Sequence, residues 1–167
     1  MQREIDRLKA LFERLGARDP ESWARSEVEE DIPQLATFLF LRAAWREVVD
    51  AEGQWVAQVT ERRPEPDGPL GDVPAALRRL LAQGASSDDL TTLVRGLQYE
   101  LLFGLCYLLA DPNSGRDEAS TGLPALDEVG WGLFELDAEG APQRAMCGAH
   151  ESVLGMDPTG REMRPRT

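Results

Sequence analysis

The feature that constrains the fold most is an unbroken apolar run of ten residues, Leu101–Ala110 (LLFGLCYLLA). It forms the second half of a predicted helix over about 88–109, which Asp111 and Pro112 end. A helix that is apolar on every side is typical of a protein core, so we expect this one to be central and fully covered. Ten apolar residues are about half the length that a bilayer requires, and no membrane association is predicted.

Five more helices are predicted from the three- and four-residue spacing of apolar side chains. The first is the clearest, because Ile5, Leu8 and Phe12 fall on one stripe. The predicted helix over 33–51 is the second most apolar, and we expect it to pack against the 88–109 helix. The predicted ranges are about 2–15, 20–30, 33–51, 54–63 and 75–83.

Strand patterns replace helical ones toward the C-terminus. Trp131–Asp137 is predicted to form a strand, followed by a turn and a return strand over 143–147, which gives a hairpin over about 130–147. Residues 157–167 are predicted to form an extended tail. The predicted fold class is therefore α+β, mostly α: a single-domain helical bundle over residues 1–167 with a C-terminal β-hairpin.

The charge is strongly acidic, with 18 basic and 30 acidic residues and a net charge of −12. This charge repels a phosphate backbone and argues against nucleic acid as a partner. The segment over 111–139 holds eight of the carboxylates and a single arginine, a net charge of −7. We therefore predict a protein-interaction module of the antidote or accessory type, which binds a basic protein partner through this acidic surface. The candidate binding residues are Trp131, Glu135 and Asp137. The open alternative is that the acidity serves solubility alone.

A second prediction concerns Arg42, which occupies a position where the apolar stripe of its helix calls for an apolar residue. A buried guanidinium needs an acceptor, and Glu100 lies in the most apolar helix, with Gly96 and Gly104 one turn to either side. Two glycines inside a helix cost about 1 kcal/mol each, so we expect them to clear a groove for an Arg42–Glu100 contact, supported by Arg95, Gln98 or Tyr99. The alternative function is a small-molecule or enzymatic site in which Arg42 binds an anion and Glu100 acts as acid or base. The structural alternative is close helix packing at the glycines, with Arg42 at the rim.

Cys147, His150 and Glu151 form a cluster with the residue types of a metal or nucleophile site. A structural zinc site needs four ligands, and His150 is the single histidine of the chain, so we predict no metal and no cofactor. A Cys147–His150 nucleophile lacks an orienting group at a recognisable spacing. We assign no catalytic residue and keep His150 as a candidate binding residue. The sequence also lacks the nucleotide-binding and common hydrolase motifs, which favours a protein other than an enzyme.

The compartment and the assembly are predicted from composition and from the N-terminus. The first residues are charged and amphipathic with no apolar core, and the chain has two cysteines, so a cytoplasmic protein with reduced thiols is expected. Seventeen of the 18 basic residues are arginine, a bias typical of GC-rich bacterial genomes. Surplus apolar helix surface would also suit a homodimer.

Overall fold

Helices make up most of the structure, a computed structural model that describes residues 1–63, 68–111 and 130–165. Within those residues a two-stranded antiparallel sheet accompanies the helices, which confirms the prediction of a mostly α, α+β fold. The helices are α1 (Gln2–Leu15), α2 (Pro20–Glu29), α3 (Gln34–Ala44), α4 (Gln54–Thr60), α5 (Val73–Ala82), α6 (Ser87–Ala110) and α7 (Ala149–Ser152). The strands are β1 (Phe134–Leu136) and β2 (Pro142–Ala145), and 3-10 turns cover Trp45–Glu47 and Leu154–Met156.

Local sequence signals set several helix ends. Asp19 caps α2, and its carboxylate accepts a hydrogen bond from the Ser22 N–H at 3.1 Å. The Ser86 hydroxyl caps α6 by accepting from the Asp88 N–H at 3.2 Å. α1 ends at Gly16, whose φ of 85° lies in the left-handed region that glycine adopts without strain. Because these signals are short-range, the bounds of α1, α2 and α6 lie within one residue of the predicted ones.

The hairpin lies inside the range that the sequence predicts. β1 and β2 are antiparallel, with Phe134 opposite Ala145 and Leu136 opposite Pro142. The register is irregular between Phe134 and Leu136. This short ladder is tied to α2 by the ion pairs of Arg144, which are described with the candidate site.

The buried side chains form two clusters, and α3 contributes to both of them. The first cluster joins α1, α2 and α3 and consists of Ile5, Leu8, Phe12, Ala24 and Phe38. The second consists of Leu41, Trp45, Val48, Cys106, Ala149 and Val153. Met156 packs against both. The central place that the sequence assigns to the 88–109 helix is therefore held by α3.

The predicted helix over 33–51 is wrong in its C-terminal part. α3 ends at Ala44, a 3-10 turn follows, and the chain then becomes extended. The extended backbone lets Val49 bond to side chains of α6. Its N–H donates to Gln98 Oε1 at 2.8 Å, and its carbonyl accepts from Arg95 Nη1 at 2.6 Å. These long-range hydrogen bonds take the place of the helical ones.

The prediction that the 88–109 helix is central and fully covered is also wrong. α6 is buried along one side, where Thr91, Arg95 and Cys106 are the buried residues. By length and composition alone, α6 is long and apolar enough to span a membrane. Only 11% of its apolar window is buried within the described fold, whereas a core helix would be mostly buried. The helix with the longest apolar run therefore presents most of its surface outward.

Residues 157–165, called the C-terminal loop below, do not form the extended tail that the sequence predicts. Asp157 is 1% exposed, and Glu162 and Met163 have φ angles of 51° and 58°, so the chain turns tightly here. Arg18, in the connection between α1 and α2, donates to the Asp157 carbonyl at 2.7 Å. These contacts make the C-terminal loop part of the folded core.

Candidate functional site

The inner side of α6 is polar over its N-terminal half. Thr91 Oγ1 accepts from the Trp55 indole Nε1 at 2.9 Å, and Gln98 Oε1 accepts from the Val49 N–H. Between them lies Arg95, whose side chain is 8% exposed. Positions 91, 95 and 98 follow the spacing of one helix face. Polar groups therefore occupy the side of α6 that a core helix would cover with leucine.

A buried ion pair anchors α6 to the C-terminal loop. Arg95 Nη2 lies 2.6 Å from Asp157 Oδ1, and the guanidinium lies over the Trp45 ring, 5.3 Å from its centroid. Asp157 Oδ2 accepts from Thr159 Oγ1 at 2.7 Å and from the Met163 N–H at 3.1 Å. Burial opposes the charged carboxylate, but the hydrogen bonds and the arginine outweigh it and lower the pKa of Asp157. Both members of the pair are therefore charged and hydrogen-bonded.

The outer side of α6 is a row of exposed leucines. They follow one another at four-, four-, four- and three-residue steps, which places them on one side of the helix, and each is between 38% and 63% exposed. We call this surface the leucine face; it consists of Leu93, Leu97, Leu101, Leu105 and Leu108. Single exposed leucines are ordinary in proteins, whereas a contiguous apolar row is typical of a binding surface.

Aromatic side chains accompany the leucine face toward the C-terminal end of α6. Trp131 is 42% exposed, and its indole Nε1 donates to the Leu108 carbonyl at 2.7 Å. Phe103 and Tyr107 are also partly exposed, and their rings meet the His150 ring nearly at right angles, with centroids 5.8 and 5.1 Å away. Partly exposed Trp and Tyr residues are typical of interface hot spots. Trp131 and His150, two candidates from the sequence, thus lie at this end of α6.

The charges that α6 presents to solvent are acidic. Asp88 and Asp89 lie in its first turn, and Glu100 is exposed near its middle. The single basic residue of the helix, Arg95, is buried and paired with Asp157. The leucine face is thus an apolar surface with acidic surroundings.

The predicted Arg42–Glu100 contact is not formed. Glu100 is exposed, and neither side chain forms a hydrogen bond or ion pair with the described part of the chain. A Cβ added at Gly96 or Gly104 would meet no atom within 4 Å. The glycines therefore neither clear a groove nor allow close packing within this chain, because α6 turns them toward solvent. Arg95, expected to support the contact, lies on the other side of the helix.

The hairpin carboxylates predicted to bind a partner have structural roles. Glu135 forms an ion pair with Arg144 at 2.7 Å. The Asp137 carboxylate organises the hairpin turn and accepts from the Glu139 N–H at 3.0 Å. Most of the predicted acidic segment, residues 112–129, lies outside the described residues. The acidic surface is therefore represented here mainly by groups that bond within the hairpin or to it.

Arg144 contacts three carboxylates, and its pair with Glu27 joins the hairpin to α2. It pairs with Glu27, with Asp31 at 3.1 Å and with Glu135 at 2.7 Å. The hydrogen bonds that the Arg144 guanidinium donates to Glu135 are the main cause that raises its pKa. Glu27 is 10% exposed on its side chain, so Arg144 neutralises a largely buried charge.

Replacing Arg144 with glutamine is expected to lower the free energy of unfolding by about 1–3 kcal/mol, because Glu27 loses its cationic partner. Urea unfolding at equilibrium measures the change. Arg46→Gln is the control, since Arg46 is exposed and its replacement is expected to change stability by less than about 0.5 kcal/mol. Equal effects of the two substitutions would contradict a structural role for Arg144.

The surroundings of His150 are aromatic. Its Nδ1 atom is buried and has no hydrogen-bond partner among the described residues. In that same part of the chain, no group of three His, Cys, Asp or Glu residues is arranged to hold a metal ion.

Burial raises the pKa of the Cys106 thiol to about 11, which makes this cysteine a poor nucleophile at neutral pH. Cys147 is exposed.

Neither of two cavities formed by described residues is lined by Arg42 or Glu100. The larger, of about 880 Å³, is an open groove between α2 and the C-terminal loop. The smaller, of about 320 Å³, lies between α6 and the C-terminal loop. Neither of these two cavities therefore supports the predicted small-molecule site.

Sequence reasoning missed the leucine face, although the first half of α6 carries a signal for it. Thr91, Arg95 and Gln98 follow one helix face, while Leu93 and Leu97 follow the opposite one. The continuous apolar run that comes next hides this two-sided pattern, because it places apolar residues on every side.

In comparisons with known proteins, no family model, curated protein or solved structure matches this chain.

Proposed function

We propose that this protein is an interaction module that binds a helix of a basic protein partner along the leucine face of α6. The observation that carries the proposal is the row of five leucines, each 38% to 63% exposed. Fully burying a leucine side chain contributes about 1.5–3 kcal/mol, so even partial cover of the row supplies a large driving force for association. The proposal keeps the basic partner expected from the sequence and moves its binding surface from the hairpin to α6.

Charge complementarity favours a basic partner over a second copy of this chain. The exposed charges of α6 are Asp88, Asp89 and Glu100, and the whole chain carries a net charge of −12. A second copy would bring the same acidic groups to the interface, where like charges cost free energy. A partner helix with leucine-type residues on one face and Lys or Arg along its edges packs against the apolar row and pairs with the acidic residues around it.

The dimensions of α6 suit helix-on-helix binding. Its 24 residues span about 36 Å at a rise of about 1.5 Å per residue, enough for a partner helix of comparable length. Gly104 lies between Leu101 and Leu108 along the row, and open space surrounds the position of its missing Cβ. Because the distance between packed helices depends on the side chains at the contact, Gly104 allows a close approach there.

A labelled peptide helix with leucines on one face and lysines along its edges tests the proposal by fluorescence anisotropy. Replacing both Leu97 and Leu101 with serine is expected to weaken its binding at least about tenfold, since the loss of about 1.4 kcal/mol of apolar contact has that effect. Salt is expected to weaken binding of the same peptide to the wild-type protein, because the edge charges are screened.

Two matched controls make this result specific. Leu70→Ser with Leu80→Ser removes two leucines that are 75% and 43% exposed and lie outside α6, and it should leave binding unchanged. A peptide with glutamates in place of the edge lysines should bind at least about tenfold more weakly. Equal binding by the two double variants, or by the two peptides, would overturn the proposal.

Other occupants of the leucine face give distinct results. Light scattering that shows a dimer of the wild-type protein and a monomer of the Leu97→Ser, Leu101→Ser variant would identify a second copy and contradict the proposal. Sedimentation of the protein with phosphatidylcholine vesicles, lost in the same variant, would identify a lipid surface and contradict it as well. A monomer that leaves vesicles unbound and binds the lysine-edged peptide is the expected outcome.

A cytoplasmic location and a role other than catalysis are kept as parts of this proposal. The alternative of an enzyme or small-molecule site at Arg42 and Glu100 has no supporting observation, because those side chains are apart from the described cavities.

A further inference from the structure

A pocket of about 320 Å³ is lined by three arginines, although the protein as a whole is acidic. It lies between the N-terminal half of α6 and the C-terminal loop, and its volume is near the lower end of the range for small-molecule sites. The polar residues that line it are Asp88, Thr91, Thr92, Arg95, Arg161 and Arg164. Three arginines and one carboxylate line the pocket, and two further carboxylates, Asp157 and Glu162, pair with Arg95 and Arg164.

The two loop arginines supply the charge that remains available in this pocket. Arg95 is already neutralised by Asp157. Arg161 forms no ion pair with the described residues, and its one side-chain hydrogen bond, to the Arg164 carbonyl, is long at 3.4 Å. Arg164 pairs with Glu162, but its side chain is 77% exposed, so water screens that pair.

The loop that carries these arginines is held in place by buried bonds. Asp157 accepts from the Met163 N–H and from Thr159 Oγ1, and Thr159 Oγ1 accepts from the Arg161 N–H at 3.2 Å. Met163 and its neighbour Glu162 have positive φ angles, a conformation that costs free energy in residues other than glycine. A loop backbone held by a partly buried network keeps the positions from which Arg161 and Arg164 extend in place, which lowers the ordering cost of ligand binding.

We infer that this pocket binds a small organic phosphate through Arg161 and Arg164, with Thr92 as a further hydrogen-bond donor. Guanidinium groups bind phosphate oxygens through paired, charge-assisted hydrogen bonds. The pocket has room for more than the phosphate group alone, so an attached organic group of a few atoms would fill the rest. This inference is independent of the leucine face, because the pocket lies toward the inner side of α6.

Isothermal titration calorimetry with inorganic phosphate and with glycerol 3-phosphate tests the inference, at an ionic strength held constant with potassium chloride. Arg161→Gln and Arg164→Gln are each expected to weaken binding of both probes about tenfold. Asp88→Asn is expected to strengthen it several-fold, because it removes the carboxylate from the pocket. Arg46→Gln, an exposed arginine outside the pocket, is the matched control and should leave binding unchanged.

Three results would overturn the inference. One is a wild-type protein that binds neither probe, and another is binding that survives both arginine substitutions. The third is acetate binding as tight as phosphate, which would assign the pocket to carboxylates. Arg95 is left unchanged in these variants, because its removal would strand the buried Asp157.

Discussion

Replacing Asp157 with alanine is expected to destabilise the protein by about 3–5 kcal/mol, because it leaves a buried arginine without its partner. The Arg95 side chain is 8% exposed and that of Asp157 is 1% exposed, so solvent cannot take over the lost contact. The substitution also removes the acceptor for Thr159 Oγ1 and for the Met163 N–H. Urea or thermal unfolding of the variant measures the effect.

The matched control is Glu162→Ala in the same loop. Its pair with Arg164 is solvent-exposed, with side chains 38% and 77% exposed, and such pairs contribute about 0–1 kcal/mol. A loss below about 1 kcal/mol for Asp157→Ala would show that the buried pair does not anchor the C-terminal loop.

Asp157 is also expected to make stability depend on pH. Its pKa in the folded protein is lowered below the ordinary value of 3.8, because the bonds from Thr159, Met163 and Arg95 outweigh the effect of burial. A lowered pKa contributes stability that is fully present above the ordinary value and is lost as the pH falls through the folded one. The difference in stability between the wild-type protein and Asp157→Asn should therefore shrink below about pH 4.

Replacing Phe12 with alanine is expected to cost about 3–5 kcal/mol, whereas Leu101→Ala should cost less than about 1 kcal/mol. Phe12 is fully buried and its ring packs against Trp23 and Phe38. Leu101 is 63% exposed, so its removal leaves no cavity within the chain. A large loss for Leu101→Ala, measured by the same unfolding experiment in the monomer, would instead support the fully covered helix that the apolar run predicts.

Local chemistry explains which parts of the fold could be predicted. The stripe of Ile5, Leu8 and Phe12 predicts α1, and Asp19 caps the helix that Pro20 begins. These signals act within a few residues, so the sequence alone is enough to recognise them. The hairpin and the fold class follow from the same short-range patterns.

Long-range pairing explains which parts of the candidate site could not be predicted. Arg95 was expected to support a contact between Arg42 and Glu100, yet it pairs with Asp157, 62 residues farther along the chain. No sequence pattern identifies Arg95 and Asp157 as partners. The same pair decides the orientation of α6, because the side that holds Arg95 must face the fold.

The sequence by itself determined the bounds of α1, α2 and α6 to within one residue, and that α6 would carry the longest apolar run. It could not determine which side of α6 is covered, since ten successive apolar residues satisfy burial from any direction. Only the tertiary structure decided that point, because burial of the charged Arg95 requires the Asp157 carboxylate. The loop that carries Asp157 covers one side of α6 and leaves the leucines in solvent.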